Sequence, residues 1–205
     1  MRRSKRFLRR SERRSRSKMK KFDLKEVFVP TISLFVICAV VTMLLAVTNS
    51  VTAPQIEKLQ IETANKTKAA VLSVAENFSE EKTVDLNGVT YTYFEGYDAE
   101  NNIKGYVFTT SSKGYGGDIV TMVGVLSDGT VSGMDFLSIS ETAGLGMNAD
   151  TDEFKNQFVG KSGEIGLNKN TPAENEIQAL TGATITSKAV TNAVNIALEL
   201  YEEVA

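Results

Sequence analysis

Between Glu26 and Glu57 the chain carries no charged residue. Its centre, residues 31–47, reads TISLFVICAVVTMLLAV. An α-helix over residues 27–47 would extend about 31 Å at about 1.5 Å per residue, enough to cross the hydrocarbon layer of a bilayer. Pro30 falls where the first turn of that helix is expected. The charge on either side is lopsided. Residues 1–26 hold 13 of the 23 Lys and Arg against three acids, Glu12, Asp23 and Glu26. The remainder holds 10 basic and 22 acidic side chains, a balance of −12, with no Arg after Arg16. The positive-inside rule therefore predicts a cytoplasmic N-terminus and an extracytoplasmic acidic body at the cell (inner) membrane. A cleaved signal peptide has the same polarity. However, its nearest small-residue site, Val51-Thr52-Ala53, is followed by Pro54, and the apolar run exceeds an ordinary signal core, so a retained anchor is expected. Topology and attraction to anionic lipid explain the Arg-rich head, and no nucleic-acid partner is expected.

The residues that are missing narrow the chemistry of the 205-residue chain. It has no His and no Trp, and its one Cys, Cys38, lies inside the apolar run. Triads built on His, His-ligated zinc or haem, and internal disulfides are all excluded. No catalytic or metal-ligating set is expected. Redox chemistry would have to come from an organic cofactor.

Beyond the span, residues 48–55 read as a short linker and residues 56–77 as helix-compatible. Residues 77–87 are polar. Strands are expected at 89–94, 103–110, 119–126 and 130–137, with a turn at 98–102 and a hairpin at Ser127-Asp128-Gly129. A short helix over 152–158 would set Phe154 and Phe158 on one side. Residues 187–203 form an amphipathic helix, with Ala189, Val190, Ala193, Val194, Ala197, Leu198 and Tyr201 on the buried face and Thr186 or Ser187 as N-cap. The expected class is α+β, a mainly antiparallel sheet with flanking helices behind a single N-terminal span. The segments are a basic cytoplasmic tail (1–26), a transmembrane helix (27–48), a juxtamembrane linker and helix (49–78) and an extracytoplasmic domain (79–205).

Just ahead of the last helix runs Thr181-Gly182-Ala183-Thr184-Ile185-Thr186-Ser187. Small residues allow a phosphate close to the backbone, and a helix N-terminus offers free N–H groups and the positive end of a dipole. Ordinary capping explains such a turn equally well when it is taken alone. Two further segments stand before it in order. One is Lys113-Gly114-Tyr115-Gly116-Gly117-Asp118-Ile119, and the other is Glu141-Thr142-Ala143-Gly144-Leu145-Gly146. Together the three segments resemble the FMN-binding domain family of the RnfG and NqrC subunits of ion-pumping electron-transfer complexes, and the compact length is closer to the RnfG type. The chain departs from the family pattern at Ala143, where Pro is usual. It also lacks a His just before Glu141 and has Gln178 where an Asp is common.

The resemblance implies covalent FMN, joined through a phosphoester to Thr184. It makes Thr181, Gly182, Ala183 and Thr186 the surrounding turn, and Tyr115, Gly116, Gly117, Glu141, Thr142, Gly144 and Leu145 the facing loops. It further implies an ApbE-type flavin transferase as processing partner. The other partners would be the remaining subunits of a membrane Rnf-type complex, which couples ferredoxin:NAD⁺ electron transfer to Na⁺ or H⁺ translocation. In that setting the chain is an electron-carrier subunit and not a self-sufficient enzyme. Two alternatives share the same domain: a stand-alone membrane-anchored flavoprotein for extracellular electron transfer, and a non-redox surface scaffold.

Overall fold

The computed structural model describes residues 24–205, and the basic tail ahead of them lies outside the described residues. The chain divides into two units, Met1–Ile56 and Glu57–Ala205. Helix α1 spans Leu24–Val71. In the first unit its large apolar side chains are exposed all round, with Phe35 at 74% and Met43 at 71%. Among the described residues it is the helix long and apolar enough to cross a membrane. Pro30 lies inside α1, not in its first turn, and Pro54 lies inside as well. Neighbouring hydroxyls serve the carbonyls around them. Thr31 Oγ1 donates to the Val27 carbonyl at 2.7 Å, Ser50 Oγ to Val47 at 2.8 Å and Thr52 Oγ1 to Thr48 at 2.9 Å. Such bonds back to the preceding turn satisfy these hydroxyls within the helix. The expected linker over 48–55 is helical; its polar residues are Ser, Thr, Asn and Gln, and no Gly occurs there to end the helix.

α1 stops at Val71, short of the expected 77, because the sheet captures the chain. Val71 and Leu72 are buried, and the Glu76 N–H donates to the Tyr97 carbonyl at 2.8 Å. The strands are β1 (Asn77–Phe78), β2 (Lys82–Leu86), β3 (Val89–Tyr97), β4 (Ile103–Lys113), β5 (Asp118–Leu126) and β6 (Val131–Ser138). They pair antiparallel in the order β1-β3-β4-β5-β6, with β2 also on β3. β1 and β2 follow each other along one edge of β3: Asn77 faces Tyr97 and Lys82 faces Tyr93. Polar residues 77–87 are therefore largely strand, which differs from the sequence expectation. Charged side chains on a sheet edge discourage unwanted pairing, and that composition hides the strand period.

Alternation along β4 and β5 dresses both faces of the sheet. Tyr106, Phe108, Val123 and Val125 turn to one side, with Val131 and Met134 from β6. There they meet Val190, Val194 and Ala197 of the last helix. Val107 and Met122 turn to the other side and pack with Val71 and Leu72. Each such fully buried side chain contributes about 1.5–3 kcal/mol relative to leaving it exposed. After β6 come a 3₁₀ turn (Gly146–Asp150), the one-turn helix α2 (Asp152–Lys155) and a second 3₁₀ turn (Asn156–Phe158). Phe154 and Phe158 meet edge to face at 5.8 Å, on one side as their spacing predicts. The polar stretch that follows contains a small parallel ribbon, β7 (Gly166–Asn168) with β8 (Glu176–Gln178). The chain then enters α3 (Thr184–Val204).

Candidate functional site

α3 starts three residues ahead of the sequence expectation, which changes what its hydroxyls do. Gly182 has φ +74°, a conformation L side chains rarely adopt, and it turns the chain into the helix early. Ala183 is the N-cap and brings no side-chain acceptor. The two expected caps are engaged elsewhere. Ser187 Oγ donates to the Ala183 carbonyl at 3.0 Å and accepts the Leu180 N–H at 2.9 Å. Thr186 Oγ1 donates to Glu141 Oε2 at 3.0 Å and is 1% exposed. Thr184 is thus the first residue of the helix, and its side chain is exposed. The first helical bond runs from the Ser187 N–H to the Ala183 carbonyl at 3.0 Å. The N–H groups of Thr184, Ile185 and Thr186 precede it and have no intrahelical acceptor. The first turn holds no acid.

Glu141 ties the three sequence motifs together. Its Oε1 accepts the N–H groups of Tyr115 at 2.8 Å and Gly116 at 3.1 Å, while Oε2 accepts Thr186. A carboxylate offers about four lone-pair sites, so three donors nearly fill it. Gly146 makes room for this arrangement. A Cβ there would stand 2.6 Å from Glu141 Oε2 and 2.7 Å from Thr186 Oγ1.

The result is a cleft of about 560 Å³, lined by Tyr115, Glu141, Thr142, Leu145, Gly146 and residues 182–186. Small-molecule sites usually occupy roughly 300–1,000 Å³. Of the sequence-predicted residues, Thr184, Gly182, Ala183, Thr186, Tyr115, Glu141, Thr142 and Leu145 line it. Thr181, Gly116, Gly117 and Gly144 do not; they belong to the loops that shape the walls. Gly146 and Ile185 also line it; they stand in the motifs read from the sequence but not among the residues expected to bind the cofactor. Ile185 stands four residues before Ala189, in phase with the buried stripe, yet it is 55% exposed. Tyr115 is 73% exposed and Leu145 45%. Three large apolar side chains from three separate segments therefore open onto one cleft. Its chemistry is bipolar: a helix N-terminus with free N–H groups suits an anion, and the apolar rim suits a flat ring. Among the residues lining the cleft, Glu141 is the one with a charge. Phosphate and isoalloxazine, the two ends of a flavin mononucleotide, match these two kinds of lining in character.

Residues 114–199 match the family described as FMN-binding domain. That stretch contains all three cleft-forming segments. Similar proteins include the G subunit of the Na(+)-translocating ferredoxin:NAD(+) oxidoreductase complex of Acetobacterium woodii, 36% identical over 198 residues, covering 89% of this chain and 95% of the relative. The G subunit of the proton-translocating ferredoxin:NAD(+) oxidoreductase complex of Clostridium ljungdahlii is 35% identical over 86% of this chain and 92% of the relative. The G subunit of the ion-translocating oxidoreductase complex of Methanosarcina acetivorans is 34% identical over 86% and 95%.

Proposed function

The chain belongs to the family of RnfG-type subunits of ion-translocating oxidoreductase complexes, and from that premise we propose that it is a membrane-anchored electron carrier whose FMN is esterified to Thr184. The observation that carries this reading is the placement of Thr184. It is the exposed hydroxyl at the first position of α3, in the cleft and beside three N–H groups with no intrahelical acceptor. Those N–H groups and the helix dipole would hold the phosphate. Tyr115, Leu145 and Ile185 would shelter the ring from water. FMN, when bound, supplies one- and two-electron redox chemistry that no side chain of this protein offers.

An ester bond retains the cofactor without tight noncovalent binding, which suits a compartment with no local flavin supply. An ApbE-type transferase using FAD and Mg²⁺ would attach it. Gln178, in place of the usual Asp, leaves its side chain exposed at the end of β8, where it would affect recognition by that enzyme and not the cleft itself. The Lys and Arg cluster ahead of α1 supports a cytoplasmic N-terminus and a carrier domain on the outer side. The subunit would work inside a complex that couples ferredoxin:NAD⁺ electron transfer to movement of Na⁺ or H⁺. Relatives named for Na⁺ and for protons are 36% and 35% identical to this chain, so resemblance in this subunit does not select the ion.

The test is in-gel flavin fluorescence of the denatured protein from its native host, beside Thr184→Val. Fluorescence in the native chain and none in the variant is the expected pair. Fluorescence surviving in the variant would refute the attachment site, and none in the native chain would refute the carrier role.

A further inference from the structure

Glu141 is the single charged side chain in the cleft wall, and three donors hold it in place. The proposed attachment gives it no part: the free N–H groups at the start of α3 serve the phosphate, and a carboxylate offers a phosphate no donor. Its fixed position at a cleft otherwise walled by apolar and neutral groups gives it an electrostatic role. We propose that the Glu141 carboxylate tunes the electron affinity of the bound flavin, with its field set by the Tyr115, Gly116 and Thr186 donors. This rests on the flavin reading above.

The step concerned is reduction of the ring. When bound, the ring would take up two electrons and one proton, the proton from water, and would carry one negative charge at mildly alkaline pH. The electrons come from the neighbouring carrier in the complex, or from dithionite in a titration. A carboxylate fixed in the wall of the same cleft would raise the free energy of that charged product and leave the neutral oxidised ring almost untouched. Glu141 is half-buried, so the effective dielectric around it lies below that of water. Each of the three donors offsets part of the carboxylate's charge, and the Thr186 hydroxyl is the one donor that substitution can delete without moving the backbone.

Two variants push in opposite directions. Glu141→Gln removes the charge at nearly constant shape. Thr186→Val keeps the charge, deletes one donor at a buried position and leaves more of the carboxylate's charge uncompensated. In the flavinylated full chain, reductive titration at mildly alkaline pH should shift Glu141→Gln toward easier reduction by about tenfold in the equilibrium constant, ~30 mV for a two-electron couple. Thr186→Val should shift the other way by a smaller factor. A merely structural role predicts no such opposition of sign.

Equal potentials in wild type and both variants would overturn the proposal while leaving the flavin reading intact, as would shifts of the same sign. If Glu141→Gln takes up no flavin, the sign in Thr186→Val decides: harder reduction supports the proposal, and no change or easier reduction overturns it. Loss of flavin from both variants, with folding retained, would also overturn it, because Glu141 would then act in attachment. A wild-type chain without flavin on Thr184 is a different failure, that of the reading beneath.

Discussion

Where α3 ends, Leu200 is fully buried and the Tyr201 hydroxyl donates to the Ser127 carbonyl at 2.7 Å; where it begins, Ile185 stays 55% exposed and Ala183 brings no capping side chain. The middle of the helix is closed as well. Asn195 Oδ1 accepts the Ile165 N–H at 2.9 Å, and its Nδ2 donates to the Ile165 carbonyl at 3.0 Å. A groove of about 300 Å³ lies beside that middle stretch, but Glu164, Glu199 and Glu202 line it. Its carboxylates repel a phosphate, and no helix N-terminus points into it. The same helix thus has one dent that opposes an anion and one that welcomes it. The difference lies in the backbone: free N–H groups exist only at the first turn. Stability is concentrated along the closed part of α3, and ligand chemistry at its open start.

The largest way to break this division is Leu200→Ala. Leu200 is 0% exposed within the core cluster, and the change should cost about 2–5 kcal/mol in urea unfolding of the detergent-solubilised chain. Flavin attachment, measured in the fraction that remains folded, should be unchanged. Asn195→Ala comes next. It strips both partners from the backbone of Ile165, itself 2% exposed, and should cost about 1–3 kcal/mol. A fall in flavin content per folded molecule in either variant would mean that the two ends are not separable.

Legibility followed the same line between closed and open. The long span, the four strands β3–β6 and the amphipathic face of α3 follow from hydrophobic period, because burial on one or both sides imposes that period. The strand β2 did not follow, because Lys82–Leu86 is an edge strand in which charged and polar residues interrupt the apolar ones. Yet Asn87-Gly88, with φ 53° and 80°, is the kind of pair a tight hairpin needs and stood in plain view. At the site, the structure brings Tyr115, Glu141 and Thr184, one from each of the three glycine-bearing motifs, to a single cleft. What spacing could not give was the bond network. Nothing in the sequence says that Thr186 turns to Glu141, that Ser187 turns back to Ala183, or that α3 begins at Thr184. Those outcomes depend on Gly182 adopting a positive φ and on contacts between residues 45 apart in the chain.

Gly146→Ala sharpens the comparison from the open side. The added methyl would press on Glu141 Oε2 and Thr186 Oγ1, at 2.6 and 2.7 Å. Glu141 Cβ would also stand only 2.8 Å away and, next to the backbone, cannot swing aside, so the overpacking penalty should be about 1–3 kcal/mol. The brace between the Tyr115 loop and α3 should loosen, and iodide should quench the attached flavin more strongly, with flavin content per folded molecule unchanged. Unchanged quenching alongside the stability loss would show that the cleft tolerates a displaced carboxylate.

The smallest expected effect is the most discriminating. Ile185 is in phase with the buried stripe of α3, and a reading from period alone would assign Ile185→Ala a core penalty of about 2–5 kcal/mol. Its exposure argues otherwise: a surface substitution away from special features stays within about 0.5 kcal/mol. Urea unfolding of the flavin-free chain should therefore barely distinguish this variant from wild type. In the flavinylated chain, removing one apolar wall of the cleft should raise quenching of flavin fluorescence by added iodide. A core-sized loss of stability in the flavin-free chain would show that the first turn of α3 is packed like the rest, and the division between the two ends would fall.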